Sequence, residues 1–421
     1  MTYADIILPL PLEGYFTYCV PDTLAPRLQP GCRVRVPLGK TKTYTGLVAA
    51  LHDQVPAGLK TGKEGVKSIV EMMDPDPVLL PQQLRLWQWI ADYYLSPIGD
   101  VYKAALPSGL KAEDDYRPKT ETYVVLADDF RSAQALRAAQ AMLQRAPAQQ
   151  KVLRAYLELA SVSEENPVPQ REITREELMN EAHCTTTVLR QFLDRRILRL
   201  YEKEVGRIPL GGMPHPEHIK PLSEAQADAY NQILVQQMSK DITLLHGVTS
   251  SGKTEIYIHL IQRALDEGRQ VLYLLPEIAL TVQMMQRLRR VFGDRLGIYH
   301  SRYSDAERVE IWKRQLSDHP YDVILGARSA LFLPFQRLGL VIVDEEHEQS
   351  FKQMDPAPRY HARSAAIILA KLCGAKVLLG TATPSSESYW NAQTGKYGYV
   401  RLDKRYQDMA LPAVEVVDVK D

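Results

Sequence analysis

The feature that most constrains the fold of this chain is an eight-residue loop at residues 247–254, GVTSSGKT. The loop matches the pattern G-x-x-x-x-G-K-[ST], follows the apolar run ITLLH directly and opens the helical pattern EIYIHLIQRALDEG. A strand, a glycine-rich loop and a helix in this order turn backbone N–H groups and the positive end of the helix dipole toward phosphate groups. The sequence therefore predicts a phosphate-binding loop between a strand and a helix.

Each part of this loop has an expected role in holding a nucleoside triphosphate. Lys253, which we also count as catalytic, neutralises the β- and γ-phosphates, and the hydroxyl of Thr254 ligates Mg²⁺. The remaining contacts are expected from the other loop residues, which are Gly247, Val248, Thr249, Ser250, Ser251 and Gly252. The sequence therefore predicts ATP and Mg²⁺ as ligands.

A second block, VIVDEEH at residues 341–347, places carboxylates directly after an apolar run. If the run is a buried strand, Asp344 and Glu345 lie at the carboxyl edge of the sheet, where ligands of α/β proteins bind. Asp344 is then expected to hold Mg²⁺, and Glu345 to orient and polarise the attacking water as general base. A solvated acidic loop is the alternative, which the strand before it and the phosphate loop upstream disfavour.

A third block, GTATP at residues 380–384, follows the apolar run AKVLLG. Small hydroxyl residues in this position are able to sense the γ-phosphate and to pass the change to a neighbouring site. The block by itself would be only a turn, but its order after DEEH favours a coupling role. We assign that role to Thr381 and Thr383, together with His347 of the second block.

Five strand-like runs alternate with helical stretches from residue 222 onward: ITLLHG, QVLYLL, DVILG, LGLVIVDEE and AKVLLGTAT. Continuous runs of Val, Ile and Leu, each followed by a helical pattern, indicate a parallel sheet covered on both faces. The sequence predicts an α/β lobe over residues 222–421. A stretch rich in Gly and Pro at 206–221 predicts a linker before it.

Residues 1–106 have a different pattern. Short apolar or alternating runs separated by Pro and Gly predict a compact β-rich barrel or sandwich. The run LPQQLRLWQWIADYYL then changes to helical spacing, with Leu84, Trp87, Ile90 and Ala91 on one face. The sequence therefore predicts a small β-rich domain that ends in a helix.

Residues 120–205 begin with a strand-like run and continue with helical patterns, a short turn, another helix and the alternating run LRLYEKEV. This order of elements, with a strand pair at its end, is typical of a winged helix. A helical spacer or a protein-docking module is the alternative. The polar stretch over 107–119 predicts a linker before this domain.

Charge and hydropathy limit the partners that we expect. Lys and Arg together number 51, as do Asp and Glu, so net charge argues neither for nor against a polyanionic partner. A local excess between residues 27 and 67, with eight Lys or Arg against Asp53 and Glu64, supports contact with nucleic acid. There is no secretory signal and no run of about 18 apolar residues. We expect a cytoplasmic protein without membrane contact.

The three blocks, in this order, resemble motifs I, II and III of superfamily 2 helicases with a DEAH-like box, and further stretches resemble the PriA family of bacterial replication-restart helicases. These stretches are PEIALT (276–281), YHS (299–301), GARSALFLP (326–334), DEEHEQSFKQ (344–353), PRYHARSAA (358–366), GCRVRVPLGK (31–40) and YYLSPIGDVYKAALP (93–107). The resemblance covers essentially the whole chain. It implies a multidomain α/β protein with a β-rich 3′ DNA-binding domain, a winged-helix domain and one RecA-like lobe.

The resemblance also implies roles for residues outside the three blocks. Gln226 resembles the glutamine that reads adenine. Arg328 and Ser329 resemble contacts to the backbone of the tracked strand, and Arg302 is expected to assist them. For Arg328, capping of a sheet edge is the alternative.

The run from Phe351 to Arg363 resembles the family's aromatic-rich loop, which couples DNA binding to ATP hydrolysis. Phe351 and Tyr360 are expected to stack on bases. Cations of the same run, which are Lys352, Arg359 and Arg363, are expected to meet phosphates. For Phe351, packing in the core is the alternative.

The first domain resembles the family's module that captures the nascent 3′ end at a fork. The expected pocket residues are Phe16, Thr17, Gly39, Lys40 and Lys67. Many members carry Asp where this chain has Thr17, and a hydroxyl is not a fixed acceptor. We therefore expect this chain to bind the 3′ end more weakly, or to recognise the terminal nucleotide through different contacts.

The function implied by the resemblance is an ATP-dependent 3′-to-5′ DNA helicase that recognises stalled forks and initiates primosome assembly. The expected partners are forked DNA, single-stranded DNA with a nascent 3′ end, single-strand-binding protein and other primosome proteins. Family members carry a second lobe with an arginine finger, a zinc module and a carboxyl-terminal domain, and this chain stops at Asp421. We therefore expect a fragment with little turnover by itself, and zinc only in the missing part.

Two alternatives remain at this point. The first is a non-catalytic module that binds forks by their structure and docks partners. The second is an enzyme that uses its phosphate loop on a substrate other than DNA.

Overall fold

The computed structural model of this chain describes residues 2–54, 66–111, 119–208 and 212–404. Contacts divide these residues into two compact units, one between residues 119 and 208 and the other made of both flanking segments. Four predicted segments lie partly outside the described residues. They are the basic stretch (55–65, with Lys60, Lys63 and Glu64), the first linker (112–118), the second linker (209–211) and the end of the last domain (405–421).

The first described segment folds into an antiparallel sheet followed by three helices. Its elements are β1 (Thr2–Ile7), β2 (Phe16–Val20), β3 (Arg33–Leu38), β4 (Lys42–His52), β5 (Glu71–Met72), α1 (Pro81–Tyr93), α2 (Ile98–Ala105) and α3 (Ser108–Lys111). The strands lie in the order β2-β1-β4-β3-β5. The chain around β5 also bonds to β2, because Ile69 donates to the Cys19 carbonyl at 3.0 Å and Val70 to the Arg35 carbonyl at 2.9 Å. The sheet thus closes on itself, in agreement with the barrel alternative.

Helix α1 buries one face, as its spacing predicts. Its buried residues are Gln83, Leu86, Trp87, Ile90 and Ala91. Leu86 thus takes the place that we expected for Leu84. Helix α3 lies inside the predicted linker 107–119, where Leu110 is only 1% exposed and its carbonyl accepts a hydrogen bond of 2.8 Å from Arg33. The start of that linker is therefore packed structure, because one buried leucine outweighs its loop-like composition.

The unit between residues 119 and 208 is a small α/β fold. Its elements are β6 (Thr120–Leu126), α4 (Ala133–Met142), α5 (Pro147–Leu159), β7 (Ile173–Thr174), α6 (Arg175–Ala182), α7 (Thr186–Asp194) and β8 (Leu198–Glu204). The sheet order is β7-β6-β8, with antiparallel neighbours. We expected a strand pair after the last helix. Instead β8 alone follows α7 and pairs with β6, a partner too distant in the sequence for local patterns to predict.

The last described segment is a parallel α/β lobe. Its helices are α8 (Glu224–Ser239), α9 (Lys253–Asp266), α10 (Val282–Phe292), α11 (Asp305–Leu316), α12 (Ala362–Cys373) and α13 (Ser386–Gln393). Its strands are β9 (Ile242–Gly247), β10 (Gln270–Leu274), β11 (Leu296–Tyr299), β12 (Val323–Gly326), β13 (Leu338–Asp344), β14 (Lys376–Thr381) and β15 (Gly398–Leu402). The order is β11-β12-β10-β13-β14-β9-β15, and every neighbouring pair is parallel. The predicted fold class is thus confirmed.

The arrangement of the central strands positions the site. β9, β13 and β14 are neighbours, so the three sequence blocks that follow them meet at one edge of the sheet. Both sheet faces are covered, because all residues of β10 and nearly all of β13 and β14 are buried. The sequence did not predict β11 and β15, which are short and interrupted by Gly and Tyr.

The first domain and the lobe belong to the same compact unit and share direct hydrogen bonds. The buried amide of Gln83 on α1 donates to the Phe332 carbonyl at 2.6 Å. The indole N–H of Trp312 on α11 donates to the Val78 carbonyl at 2.8 Å. Both donors are fully buried, so these bonds fix the first domain against the lobe.

Candidate functional site

The phosphate loop joins β9 to α9 through two residues with left-handed backbone. Ser250 has a φ of 64° and Gly252 a φ of 79°. Gly252 directly precedes α9, and a Cβ on it would lie 2.2 Å from Nε2 of Gln226. Only glycine fits this position, since both the backbone angle and the neighbouring amide exclude a side chain.

Polar groups of the loop point into the protein without full partners. Lys253 is 8% exposed, and its ammonium donates one hydrogen bond of 3.0 Å to the Gly247 carbonyl. The buried hydroxyl of Ser251 has no hydrogen-bond partner among the described residues. The first backbone N–H groups of α9 also lack partners within the helix. These incompletely paired donors match the acceptor oxygens of phosphate groups, so the residues of the loop are suited to bind a nucleotide.

Gln226 on α8 supports the loop from behind. It is 2% exposed, and its Nε2 donates to the carbonyls of Ser251 at 3.2 Å and Gly252 at 3.3 Å. Its Oε1 accepts from the backbone N–H of Ser223 at 2.9 Å. The structure therefore shows Gln226 positioning the phosphate loop, and its reading of adenine stays a prediction.

One cavity of about 680 Å³ joins the first two sequence blocks. Its lining includes Thr249 to Glu255 of the phosphate loop, Gln226, and the pair Asp344 and Glu345. The remaining wall comes from the chain before α8 and from α10, with His218, Lys220, Arg287 and Arg290 among its residues. The structure thus brings the predicted nucleotide residues together.

Asp344 ends β13 as a buried carboxylate. Its two oxygens accept hydrogen bonds from the hydroxyls of Tyr257 at 2.9 Å and Tyr273 at 3.2 Å. Burial, and then the charge of Glu345, raise the pKa of Asp344 to about 6. Burial also raises the pKa of both tyrosines well above the usual value, so they stay protonated as donors. Sequence reasoning missed this tyrosine pair.

Glu345 turns sharply out of the strand. Its φ of 49° is left-handed, a conformation that costs a non-glycine residue about 1 kcal/mol or more. Its backbone N–H donates to Asp344 at 3.1 Å, and its side chain is 37% exposed. The turn leaves the Glu345 carboxylate on the cavity wall, beside Asp344.

The three predicted coupling residues are in contact. Nδ1 of His347 lies 2.7 Å from the hydroxyl oxygen of Thr381, which also accepts the backbone N–H of Thr383 at 3.1 Å. A side-chain oxygen of Glu345 lies 3.7 Å from the same imidazole nitrogen. The end of β14 is thus linked to the second block, and the coupling role of these residues stays a prediction.

Glu346 is a functional candidate that sequence reasoning missed. Its side chain is fully buried and accepts hydrogen bonds from Arg363 at 2.6 Å, the Ser385 N–H at 2.8 Å and the Ser388 hydroxyl at 2.9 Å. No local pattern distinguished Glu346 from Glu345, because the partners of Glu346 lie 17 to 42 positions further along the chain. Arg363 is only 13% exposed. Glu346 therefore holds the Arg363 side chain in this structure, and contact of Arg363 with phosphates stays a prediction.

The aromatic residues of the run 351–363 lie in the core. Phe351 and Tyr360 are each 1% exposed, and Tyr360 packs edge-to-face on Phe332 with ring centroids 5.2 Å apart. This burial supports the core alternative for Phe351, and stacking of the two rings on bases stays a prediction. The physical reason is that burial of a large ring stabilises the fold more than its exposure on a loop.

The cations of the same run remain near the surface. The Arg359 side chain is 66% exposed and donates to the Met354 carbonyl at 2.8 Å. The ammonium of Lys352 bonds to the Arg359 carbonyl. Arg328 donates to the carbonyls of Ser350 and Lys352, both at 3.4 Å, so it supports the loop rather than capping a sheet edge.

Two further residues, Ser329 and Arg302, are also predicted to contact the tracked strand. Ser329 is half-buried in the 3₁₀ turn Arg328–Phe332. Arg302 is exposed, and its backbone N–H donates to His300 at 3.2 Å. Neither is shown to bind DNA.

The residues predicted for the 3′-end pocket lie on β2, in the turn after β3 and in the chain before β5. Phe16 and Thr17 lie on β2, Gly39 and Lys40 lie in the turn between β3 and β4, and the ammonium of Lys67 bonds to the Gly39 carbonyl. The hydroxyl of Thr17 donates to Asp5 on β1 at 2.7 Å. His52 lies 3.3 Å from the same Asp5 oxygen. A carboxylate therefore lies next to Thr17, although the sequence places none after Phe16.

The described residues contain neither a membrane-spanning helix nor a cluster of metal-binding side chains. No helix among them is long and apolar enough to cross a membrane. No group of three or more His, Cys, Asp or Glu side chains in the described ranges is placed to hold a metal ion by itself.

Three family descriptions match successive parts of the chain. Residues 5–107 match "3'DNA-binding domain (3'BD)" of PriA, residues 121–205 match "Winged helix domain, PriA helicase, Bacteroidota", and residues 223–390 match "DEAD/DEAH box helicase". The matches follow the same order as the three segments described above.

Curated relatives with the name "Replication restart protein PriA" are similar to this chain. The Haemophilus influenzae protein is 33% identical over 100% of this chain and 54% of its own length. The Bacillus subtilis protein is 31% identical over 100% of this chain and 58% of its own length. The Rickettsia felis protein is 45% identical over 47% of this chain and 30% of its own length. The chain thus spans about half the length of the first two relatives.

Proposed function

This chain belongs to the PriA family, and from that premise we propose that it carries the ATP-binding lobe and two DNA-binding domains of a replication-restart DNA helicase. The proposed domains are a 3′ DNA-binding domain (1–106), a winged helix (120–205) and a RecA-like lobe (222–421). The observation that carries the proposal is the single cavity that the phosphate loop and the Asp344–Glu345 pair line together.

The nucleotide chemistry follows from the groups in that cavity. Ser251, Lys253 and the first N–H groups of α9 bind the phosphates, since they are donors without full partners. Thr254 and Asp344 would hold Mg²⁺, which when bound neutralises charge on the phosphates. Glu345 orients the attacking water and accepts its proton. The tyrosine pair on Asp344 keeps that carboxylate facing the cavity.

The same contacts give the proposed coupling a physical route. His347, Thr381 and Thr383 form a chain of short contacts between the carboxylate block and the end of β14. A change in the γ-phosphate at Glu345 therefore reaches β14 through side chains already in contact. The proposed tracked-strand contacts are Arg302, Arg328, Ser329, Lys352 and Arg359.

The first domain is proposed to bind the nascent 3′ end of a forked DNA. Its support is the assembled corner of Gly39 and Lys67 beside β2, with the basic excess of that segment. The hydroxyl of Thr17 and the carboxylate of Asp5 offer donor and acceptor groups to a terminal nucleotide.

The activity of the whole protein is a wider proposal. It unwinds DNA with 3′-to-5′ polarity at stalled forks and initiates primosome assembly, with single-strand-binding protein and other primosome proteins as partners. This proposal rests on the relatives, whose name is "Replication restart protein PriA" and of which the chain spans about half.

The substitution Lys253→Ala in the full-length protein tests the proposal. We expect loss of ATP-dependent unwinding with binding to forked DNA retained, because the lysine contacts phosphates and not DNA. Lys376→Ala is the matched control. Lys376 begins β14 at the edge of the sheet away from the cavity, and it pairs there with exposed Asp241, which directly precedes β9. Unchanged restart activity in the Lys253 variant would instead favour a fork-binding module without catalysis.

A further inference from the structure

Helix α1 of the first domain carries a surface stripe of one cation and two aromatic residues, in which Arg85 and Tyr93 are exposed and Trp89 is half-buried. Arg85, Trp89 and Tyr93 are spaced four residues apart, so they lie on one face of the helix. The rings of Trp89 and Tyr93 stack with centroids 4.8 Å apart and an angle of 18° between their planes. Tyr93 is 64% exposed. The half-buried ring of Trp89 thus supports a Tyr93 ring that is largely open to solvent.

Tyr94 joins this stripe to the run 351–363 of the lobe. Its ring makes edge contacts with Trp89 at 6.0 Å and Tyr93 at 4.9 Å. The ammonium of Lys352 lies 5.0 Å from the centroid of the Tyr94 ring, and the backbone N–H of His361 donates to the Tyr94 hydroxyl at 3.1 Å. The aromatic group of the first domain and the cationic loop of the lobe therefore form one continuous surface.

The charges on this surface favour a polyanion. Arg85 forms no ion pair with any described residue, and Arg359 has only exposed Asp355 as an acidic neighbour, at 3.9 Å. The nearest acid on the helix is Asp92, which accepts a hydrogen bond of 2.7 Å from Gln88. Arg85 and Lys352 thus lie beside the rings, with Arg359 next to Lys352, whereas Asp92 and Asp355 are both exposed.

Single-stranded nucleic acid is the partner that this combination fits. Exposed rings stack on bases of any sequence, and neighbouring Lys and Arg side chains bind the backbone. The aromatic residues that the sequence predicts for this task, Phe351 and Tyr360, are buried. We propose that Trp89 and Tyr93 form the stacking platform for an unpaired base, whose flanking phosphates lie against Lys352 and Arg359. This inference rests on the proposed function, which supplies DNA as the polyanion.

Variants of Tyr93 test the platform, because its exposure makes misfolding no concern. Affinity for a fluorescein-labelled oligothymidylate is measured by anisotropy at fixed salt. Loss of one base stack corresponds to a loss of affinity of about fivefold to a hundredfold, which we expect for Tyr93→Ala. Tyr93→Phe keeps the ring and should bind like the parent chain. Tyr389→Ala is the matched control, since that ring is 44% exposed on α13 of the lobe and should not matter.

The outcomes separate this inference from the proposed function. If the parent chain binds the oligonucleotide and Tyr93→Ala binds within twofold of it, the platform is wrong and the helicase proposal stands. If Tyr93→Leu binds as tightly as Tyr93→Phe, the surface is merely apolar and suits a protein partner, which also overturns the platform. If the parent chain binds MgATP but no oligonucleotide, the DNA part of the proposed function fails.

Discussion

The guanidinium of Arg363 donates a 2.6 Å hydrogen bond to the fully buried carboxylate of Glu346. The pair joins the first turn of α12 to the residue that follows Asp344 and Glu345. Ser385 and Ser388, which follow the third block, complete the partners of the carboxylate. One buried ion pair therefore holds the start of α12 against the carboxylate block.

Removing one partner of the Arg363–Glu346 pair should strongly destabilise the chain. Arg363→Met leaves a buried charge without its partner, which costs about 3 to 5 kcal/mol in the free energy of unfolding. Denaturant unfolding measures this loss. Arg401→Met is the control, since Arg401 forms an exposed pair with Asp403 and its loss should cost about 1 kcal/mol or less. Equal losses in the two variants would contradict the account of this pair.

The raised pKa of Asp344 predicts that its contribution to the free energy of unfolding of the metal-free chain falls as the pH rises. The unfolded chain ionises this group near pH 4, whereas the folded chain ionises it at about 6. The unfolded state thus binds fewer protons between these values, and the group lowers stability progressively as the pH rises from about 4 to about 6. Asp344→Asn removes this contribution.

The measurement is the difference in unfolding free energy between Asp344→Asn and the parent chain at several pH values. We expect the variant to gain about 3 kcal/mol relative to the parent between pH 4 and pH 7, following the shift of the pKa. A difference that does not vary with pH would show that Asp344 titrates normally.

The contact between Gly380 and Tyr257 predicts a coupled pair of substitutions. A Cβ on Gly380 would lie 1.8 Å from the Tyr257 hydroxyl, which bonds to Asp344. Gly380→Ala should therefore destabilise the chain by about 1 to 3 kcal/mol and weaken MgATP binding. Adding Tyr257→Phe removes the clashing oxygen, so the double variant should lose less stability than the sum of the single losses. Additive losses would mean that the clash is relieved elsewhere.

The Asp5–Thr17 contact predicts how the first domain treats a blocked 3′ end. A terminal phosphate would be repelled by the Asp5 carboxylate, so a fork with a 3′-phosphate should bind more weakly than one with a 3′-hydroxyl. Asp5→Asn should reduce that difference while leaving the fold intact. Fork affinities measured by anisotropy give both values. Equal binding of the two forks by the parent chain would remove the first domain from 3′-end capture.

The sequence predicted most of what is local. The phosphate loop follows from eight adjacent residues and the runs on either side of them, and the structure places β9 and α9 there. The order of apolar runs likewise predicted a parallel sheet, because each run is buried as a strand. The strands β11 and β15 were missed because their four or five residues lack a continuous apolar run.

Contacts between distant residues were beyond sequence patterns. Tyr257 and Tyr273 hold Asp344 across 87 and 71 positions of the chain. The burial of Phe351 and Tyr360 depends on how their loop packs. The sequence pattern of an aromatic run is identical whether its rings are buried in the core or exposed to solvent. Roles that need a bound partner, such as those of Gln226 and Arg328, stay predictions.

The central claim is that one cleft grips a triphosphate between the phosphate loop and the carboxylate block. A crystal structure of the chain with a non-hydrolysable ATP analogue and Mg²⁺ tests it most directly. The account predicts phosphate oxygens within hydrogen-bond distance of Ser251 and Lys253, and the metal between those phosphates and Asp344. Analogue density elsewhere, or a cleft that stays empty at saturating analogue, would contradict it.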